Sequence, residues 1–169
     1  ELNSRDFDDL IPYLIMGIIL GGRLGYVFIY NLEYYLENLI KIFFIWEGGM
    51  SFHGGLIGVI FTIFIFSKKK NINIFYFLDI ISIVAPIGLF FGRIANFINA
   101  ELYGKATDAP WGVIFSNVDK IPRHPSQIYE AFLEGLLLFL LLSFLAFKKK
   151  LIFKHGIISG IFLTFYSLF

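Results

Sequence analysis

Residues 77–104 read FLDIISIVAPIGLFFGRIANFINAELYG. Some fifteen mostly apolar residues, Phe77 to Phe91, come first, and Arg93, Asn96, Asn99 and Glu101 then follow within one short stretch. In lipid each backbone amide needs an internal partner, so an apolar run of this kind winds into a helix. A guanidinium, two amides and a carboxylate at its end are costly unless they face a cavity, a partner or a ligand. Arg93 and Asn96 are three apart and share one face of that helix. One polar residue can join two helices; four at one depth outline a lined cavity. A guanidinium there suits a bidentate anion, carboxylate or phosphate, and lipid phosphates lie at that depth.

The rest of the chain supports a membrane setting. Of 169 residues 57% are hydrophobic, with 22 Phe, 9 Tyr and 2 Trp, against about 45–50% apolar residues in soluble domains. The mean hydropathy is +0.75. A net charge of +1 provides no basic field for nucleic acid. Cysteine is absent, which excludes disulfides, thiolate metal sites and a cysteine nucleophile on this chain; any thiol in the chemistry belongs to a partner. Five apolar segments predict helices over 10–30, 42–66, 77–98, 128–147 and 156–169. The expected fold is an all-α, polytopic transmembrane helical bundle forming one integral membrane domain over 1–169. A loop, 99–127, with Pro110, Pro122, Pro125, Gly104 and Gly112, joins the third and fourth helices. The chain opens without Met and stops inside an apolar run, and reads as part of a longer protein.

Basic residues orient the spans. Arg5, Lys68, Lys69, Lys70, Lys148, Lys149, Lys150 and Lys154 fall on one side; Lys41, Lys105, Lys120 and Arg123 fall on the other. Cytoplasmic loops carry the excess, so loop 99–127 is expected outside. Gly17, Gly21 and Gly25, and likewise Gly54 and Gly58, recur every four residues. That spacing lets helices approach closely, and packing alone accounts for it.

Two more places put polar groups at membrane depth. GGRLGY (21–26) carries Arg23 and Tyr26; the arginine pairs with a buried carboxylate, snorkels to the interface or faces the cavity, and its central position weakens the snorkelling reading. SFHGGLIG (51–58) puts His53 about ten residues into the second helix, where imidazole serves as a packed core group or a proton carrier. IPRHPSQIYE (121–130) then enters the fourth helix, bringing Arg123 and His124 back toward the membrane, with Ser126 as a helix cap.

GGRLGYVFIYN (21–31), GGMSFHGGLIG (48–58), GRIANFINAELYG (92–104) and RHPSQIYE (123–130), in that order, closely resemble the bacterial phosphatidylglycerol–prolipoprotein diacylglyceryl transferase family over essentially the whole chain. The resemblance implies a multi-pass enzyme of the bacterial cytoplasmic (inner) membrane, monomeric, with its active site on the extracytoplasmic side. It implies transfer of the diacylglyceryl group of phosphatidylglycerol to the lipobox cysteine of a prolipoprotein signal peptide, without metal or cofactor. By motif, Arg93 would clamp the lipid phosphate, and Asn96, Asn99 and Glu101 would hold the head group and orient Arg93. Gly104 would let backbone pass close to that head group. His53 would be the candidate base, with Arg23, Tyr26, Arg123 and His124 as further cavity residues. GRIAN carries Ala95 where the family usually has Gly. The family also has a preceding helix with an essential Tyr and a later segment with an essential Arg. Residues 1–169 alone are therefore expected to be inactive.

Three other readings compete. A membrane transporter with an outward-facing polar cavity also places Arg, His and Asn in spans. A phospholipid phosphatase or acyltransferase needs a nucleophile or metal constellation that the sequence does not offer. A non-catalytic assembly subunit would leave the glycines as the whole story.

Overall fold

The computed structural model describes residues 4–169. The chain is all-α apart from one small hairpin: α1 (Ser4–Tyr30), α2 (Leu32–Glu37), α3 (Phe52–Lys70), α4 (Ile74–Ile98), β1 (Val113–Ile114), β2 (Pro122–Arg123), α5 (Ser126–Lys148) and α6 (Ile157–Leu168). Among the described residues α1, α3, α4 and α5 are long and apolar enough to cross a membrane; α6 is apolar but shorter. Large apolar side chains such as Phe28, Phe61, Phe91 and Leu163 point outward, a surface suited to lipid rather than water. The chain falls into two compact units that divide after Ile74.

In the first unit α1 and α3 pack through their glycines. A Cβ on Gly17 would stand 2.8 Å from the Gly58 carbonyl oxygen, and one on Gly25 would stand 2.7 Å from the Gly54 Cα. No side chain fits there, so close packing is what these glycines provide.

Helix α3 begins at Phe52, not near residue 42. Residues Leu39–Phe43 and Ile45–Glu47 wind as short 3-10 turns instead. Gly48 and Gly49 follow at φ +84° and +82°, a left-handed backbone that breaks any continuous helix. Ser51 then starts α3, its Oγ accepting the Gly54 N–H at 3.1 Å. The helix runs on through Lys68, Lys69 and Lys70 to a left-handed Asn71. His53 is consequently in the first turn of its helix, not ten residues into it.

In the second unit α4 ends in a Schellman-type turn. The Glu101 N–H donates to the Asn96 carbonyl at 2.8 Å, and the Ala100 N–H to that of Phe97 at 3.2 Å. Ala100 and Leu102 have φ of 57° and 52°, a conformation that costs a non-glycine residue roughly 1–2 kcal/mol. The hairpin pairs Val113 with Arg123 and Ile114 with Pro122. Helix α5 is α-helical to Glu130, π-helical over Ala131–Leu137, and α-helical again over Leu138–Ser143. Its Gly135 lies against α4, where an added Cβ would stand 2.6 Å from Phe90 Cβ. Ile83, Leu138, Leu142, Ala146 and Ile158 form the buried core.

Asp79 of α4 is wholly buried, and its carboxylate accepts the Gly156 N–H at 2.7 Å and the Ser159 N–H at 2.8 Å. It caps α6 from a neighbouring helix, where free amides and the helix dipole favour an anion. Asp79 and Glu134 add to the three places where the sequence put polar groups at membrane depth.

Candidate functional site

Arg23 of α1 is 4% exposed and takes part in no ion pair among the described residues. Its guanidinium donates to five backbone carbonyls. Nε reaches Ile42 at 2.8 Å, Nη1 reaches Gly48 at 2.5 Å and Gly49 at 3.1 Å, and Nη2 reaches Lys41 at 2.6 Å and Phe44 at 3.1 Å. The Tyr35 ring lies 5.1 Å from its Cζ. The Lys41 and Phe44 carbonyls also accept the Phe44 and Glu47 N–H groups, so the fork adds to the short turns and ties them to the Gly48–Gly49 break. The buried carboxylate expected as its partner is replaced by backbone oxygens. Tyr26 stacks on Tyr30 and packs edge-on to Tyr35, and its ring fills the space a side chain at Gly49 would need. His53 is exposed at the start of α3 and packs edge-on to Phe52.

The second unit gathers Arg93, Asn96, Glu101, Gly104, Arg123 and His124 around the end of α4, the hairpin and the start of α5. Arg93 meets two carboxylates of α5: Nη1 lies 2.8 Å from Glu130 Oε2, and Nη2 lies 3.1 Å from Glu134 Oε2. Nε also donates to Glu134 Oε2 at 3.3 Å. The groups that orient Arg93 are thus on α5, not the expected Asn96, Asn99 and Glu101. Asn96 donates instead to Glu101 Oε2 at 2.9 Å. The Asn99 side chain is exposed and makes no hydrogen bond among the described residues. Glu130 and Glu134 escaped the sequence reading, although two acids four apart in an otherwise apolar helix were a legible signal.

The strained turn at 100–102 is held from α5. Gln127 Nε2 donates to the Glu101 carbonyl at 2.5 Å, and Ser126 Oγ donates to the Leu102 carbonyl at 3.0 Å. Ser126 therefore ties the loop down rather than capping α5. The closeness of Gly104 is to protein: a Cβ there would stand 2.7 Å from the His124 carbonyl oxygen, which already accepts the Gly104 N–H at 3.0 Å. His124 Nδ1 lies 3.2 Å from the Tyr129 hydroxyl, which accepts the Trp111 Nε1–H at 2.8 Å. Arg123 grips Asp119, with Nη2 to Oδ2 at 2.7 Å, and stacks on Tyr103. That guanidinium, helped by the Ile121 N–H, holds the Asp119 carboxyl below its ordinary range; Asp119 in turn raises Arg123.

Chemically, Arg93 is the one arginine of the second unit that carries surplus carboxylate at membrane depth. Both of its partners are side-chain carboxylates. The same is not true of Arg23, whose donors end on carbonyls.

Over residues 1–169 the chain matches the family model described as prolipoprotein diacylglyceryl transferase. Curated relatives named phosphatidylglycerol–prolipoprotein diacylglyceryl transferase include those of Rickettsia felis, 54% identical, and Rickettsia akari, 53% identical. In both, the match covers 100% of this chain and 65% of the relative. The Rickettsia typhi protein of the same name is 54% identical over the same shares. The chain thus spans about two thirds of the length of these relatives.

Proposed function

The chain belongs to the prolipoprotein diacylglyceryl transferase family, and from that premise we propose that the protein moves the diacylglyceryl group of phosphatidylglycerol to the lipobox cysteine of a prolipoprotein. The substrate's sulfur attacks the glyceryl carbon that bears the phosphate ester. The S–C bond forms and the C–O bond breaks, leaving a thioether and glycerol phosphate. The thiol proton is taken up by a base, and the electron pair of the broken bond stays on the phosphate oxygen.

The observation that carries this reading is Arg93, a partly buried guanidinium at the end of an apolar span, held by α5 carboxylates. A fork of this kind neutralises the charge that grows on a departing phosphate. The strained turn at 100–102, with Asn96 and Glu101, frames the head group, and the apolar hollow beside Phe90, Gly135 and Phe139 takes an acyl chain. By family motif His53 is the candidate base for the thiol proton; a free thiol titrates near about 8.5, so a base helps at neutral pH. By family motif Asn99, Gly104, Arg123 and His124 are further substrate-binding candidates in the second unit, and Arg23 and Tyr26 are such candidates in the first. The site faces the extracytoplasmic side of a bacterial cytoplasmic membrane, and the protein works as a monomer. Nothing in the chain or its relatives favours transport.

The test uses the intact protein in phosphatidylglycerol vesicles with a lipobox peptide. Mass spectrometry should show a diacylglyceryl gain on the peptide, lost in a folded Arg93→Gln. A folded, lipid-bound wild type that leaves the peptide unmodified would refute the transfer.

A further inference from the structure

The Arg93 cluster holds more negative than positive charge. One guanidinium faces both Glu130 and Glu134. A phosphodiester arriving at the same guanidinium would add another anion, and like charges within about 4–6 Å oppose one another. The cluster cannot accept a phosphate unless one carboxylate gives way.

The two carboxylates are unequal. Glu134 has a side chain 8% exposed, and its Oε2 accepts hydrogen bonds from both Nε and Nη2. Its neighbour Gly135 is pressed against Phe90, which fixes the backbone at that point. The Glu130 side chain is 30% exposed. Its Oε2 stands 2.8 Å from Nη1, yet that buried oxygen accepts no hydrogen bond among the described residues. Glu130 is also the last residue before α5 changes to π-helical winding, and such segments recur at functional sites. One arm is a fixed strut on the Nε–Nη2 edge. The other is an electrostatic contact with loose alignment on the Nη1 side.

We propose that Glu130 is an internal stand-in for the substrate phosphate. It balances Arg93 while the site is empty and yields Nη1 to the phosphodiester of an anionic lipid, while Glu134 stays as the positioning partner. The proposal rests on Arg93 receiving the lipid phosphate. Carboxylate and phosphate both match the guanidinium fork, so the exchange leaves Arg93 paired at every stage, and a buried cation left unpaired would be destabilising. Glu130 thereby competes with substrate, weakening lipid affinity while it protects the empty site.

The experiment measures KM for phosphatidylglycerol and kcat for transfer in the intact wild type, Glu130→Gln, Glu134→Gln and Glu134→Asp. Glu130→Gln should lower KM roughly 3- to 10-fold, the scale of one partly screened charge interaction, with kcat changed far less. Glu134→Gln should lower kcat at least about tenfold through a misplaced Arg93, with Glu134→Asp recovering part of it. A second arm needs no turnover. Native mass spectrometry counts phosphatidylglycerol retained against diacylglycerol, which lacks the phosphate, and Glu130→Gln should retain more of the former. Glu130→Asp, which draws the charge back from Nη1, should shift retention the same way and serves if Glu130→Gln does not fold. A KM for Glu130→Gln that rises or stays put overturns the proposal and leaves the reaction standing. If wild type retains lipid but transfers nothing, the reaction fails and the retention arm alone decides: more phosphatidylglycerol on the Glu130 variants supports the exchange, and equal retention overturns it.

Discussion

Arg23 and Arg93 are the same side chain, each inside a long apolar helix, in a chain that otherwise favours lysine, ten to four. Their surroundings differ in kind. Arg23 ends on five backbone carbonyls and a tyrosine ring. Those acceptors belong to the fold and cannot leave without unwinding residues 39–49. Arg93 ends on two side-chain carboxylates, groups that resemble phosphate in charge, and the more exposed of them, Glu130, is free to rotate away. Depth alone does not make an arginine functional; the exchangeability of its acceptors separates a structural guanidinium from a ligand-binding one.

Substituting lysine at each position is the sharpest attempt to break that contrast, because charge is kept and the fork is lost. Arg93→Lys should cost about 10²–10³ in turnover, the usual loss when a preorganised electrostatic contact is removed. Its melting temperature should stay near wild type, since an ammonium still pairs with Glu134. Equal turnover in Arg93→Lys would mean that a point charge suffices.

Arg23→Lys should act the other way. An ammonium has three donors, so at least two of the five contacts are lost, for a destabilisation of about 1–3 kcal/mol. Differential scanning fluorimetry in detergent should show the drop, while turnover per folded molecule stays close to wild type. If the variant melts normally and turnover collapses, Arg23 belongs with Arg93.

How far the sequence showed this contrast depends on what kind of information each feature is. The spans were legible because lipid imposes length and apolarity on the segment itself. The glycine register was legible because contacts between backbones leave a fixed period. The start of α3 was not. Residues 42–47 are as apolar as a span, and only the pair Gly48–Gly49 marked the break. The acceptors of Arg23 were invisible in principle, since backbone carbonyls carry no residue identity. Asp79, Glu130 and Glu134 were visible but passed over, and each proved to pair across elements: with Gly156 and Ser159, or with Arg93.

Asp79 carries the contrast to an anion. Like Arg23 it is buried and ends on backbone, the amides of Gly156 and Ser159. Asp79→Asn keeps one accepting oxygen and turns an amide group toward the other N–H. The expected cost is about 1–2 kcal/mol, that of a lost helix cap, with KM for lipid unmoved. A change in KM would show that the α6 cap is coupled to the site.

The smallest effect belongs to the third arginine, Arg123, which pairs with Asp119 in the loop between the spans. Arg123 lowers the Asp119 carboxyl below the ordinary value of about 3.9. A depressed folded pKa means the contact stabilises the protein in full above the unfolded value and loses that contribution as pH falls through the folded one. The melting temperature should therefore be flat from roughly pH 5 to 8 where this pair is concerned, and Asp119→Asn should differ from wild type slightly and by a constant amount. As pH falls below about 4 and on through the lower folded value, the two proteins should converge, because wild-type Asp119 takes up a proton over that range. Added salt should narrow the gap at neutral pH, since an open pair is screened. A gap that persists in acid or ignores salt would put Arg123 with Arg23, among the arginines that hold backbone through its carbonyls. The contact for that exists in outline: Nη1 already lies 3.4 Å from the Gly104 carbonyl.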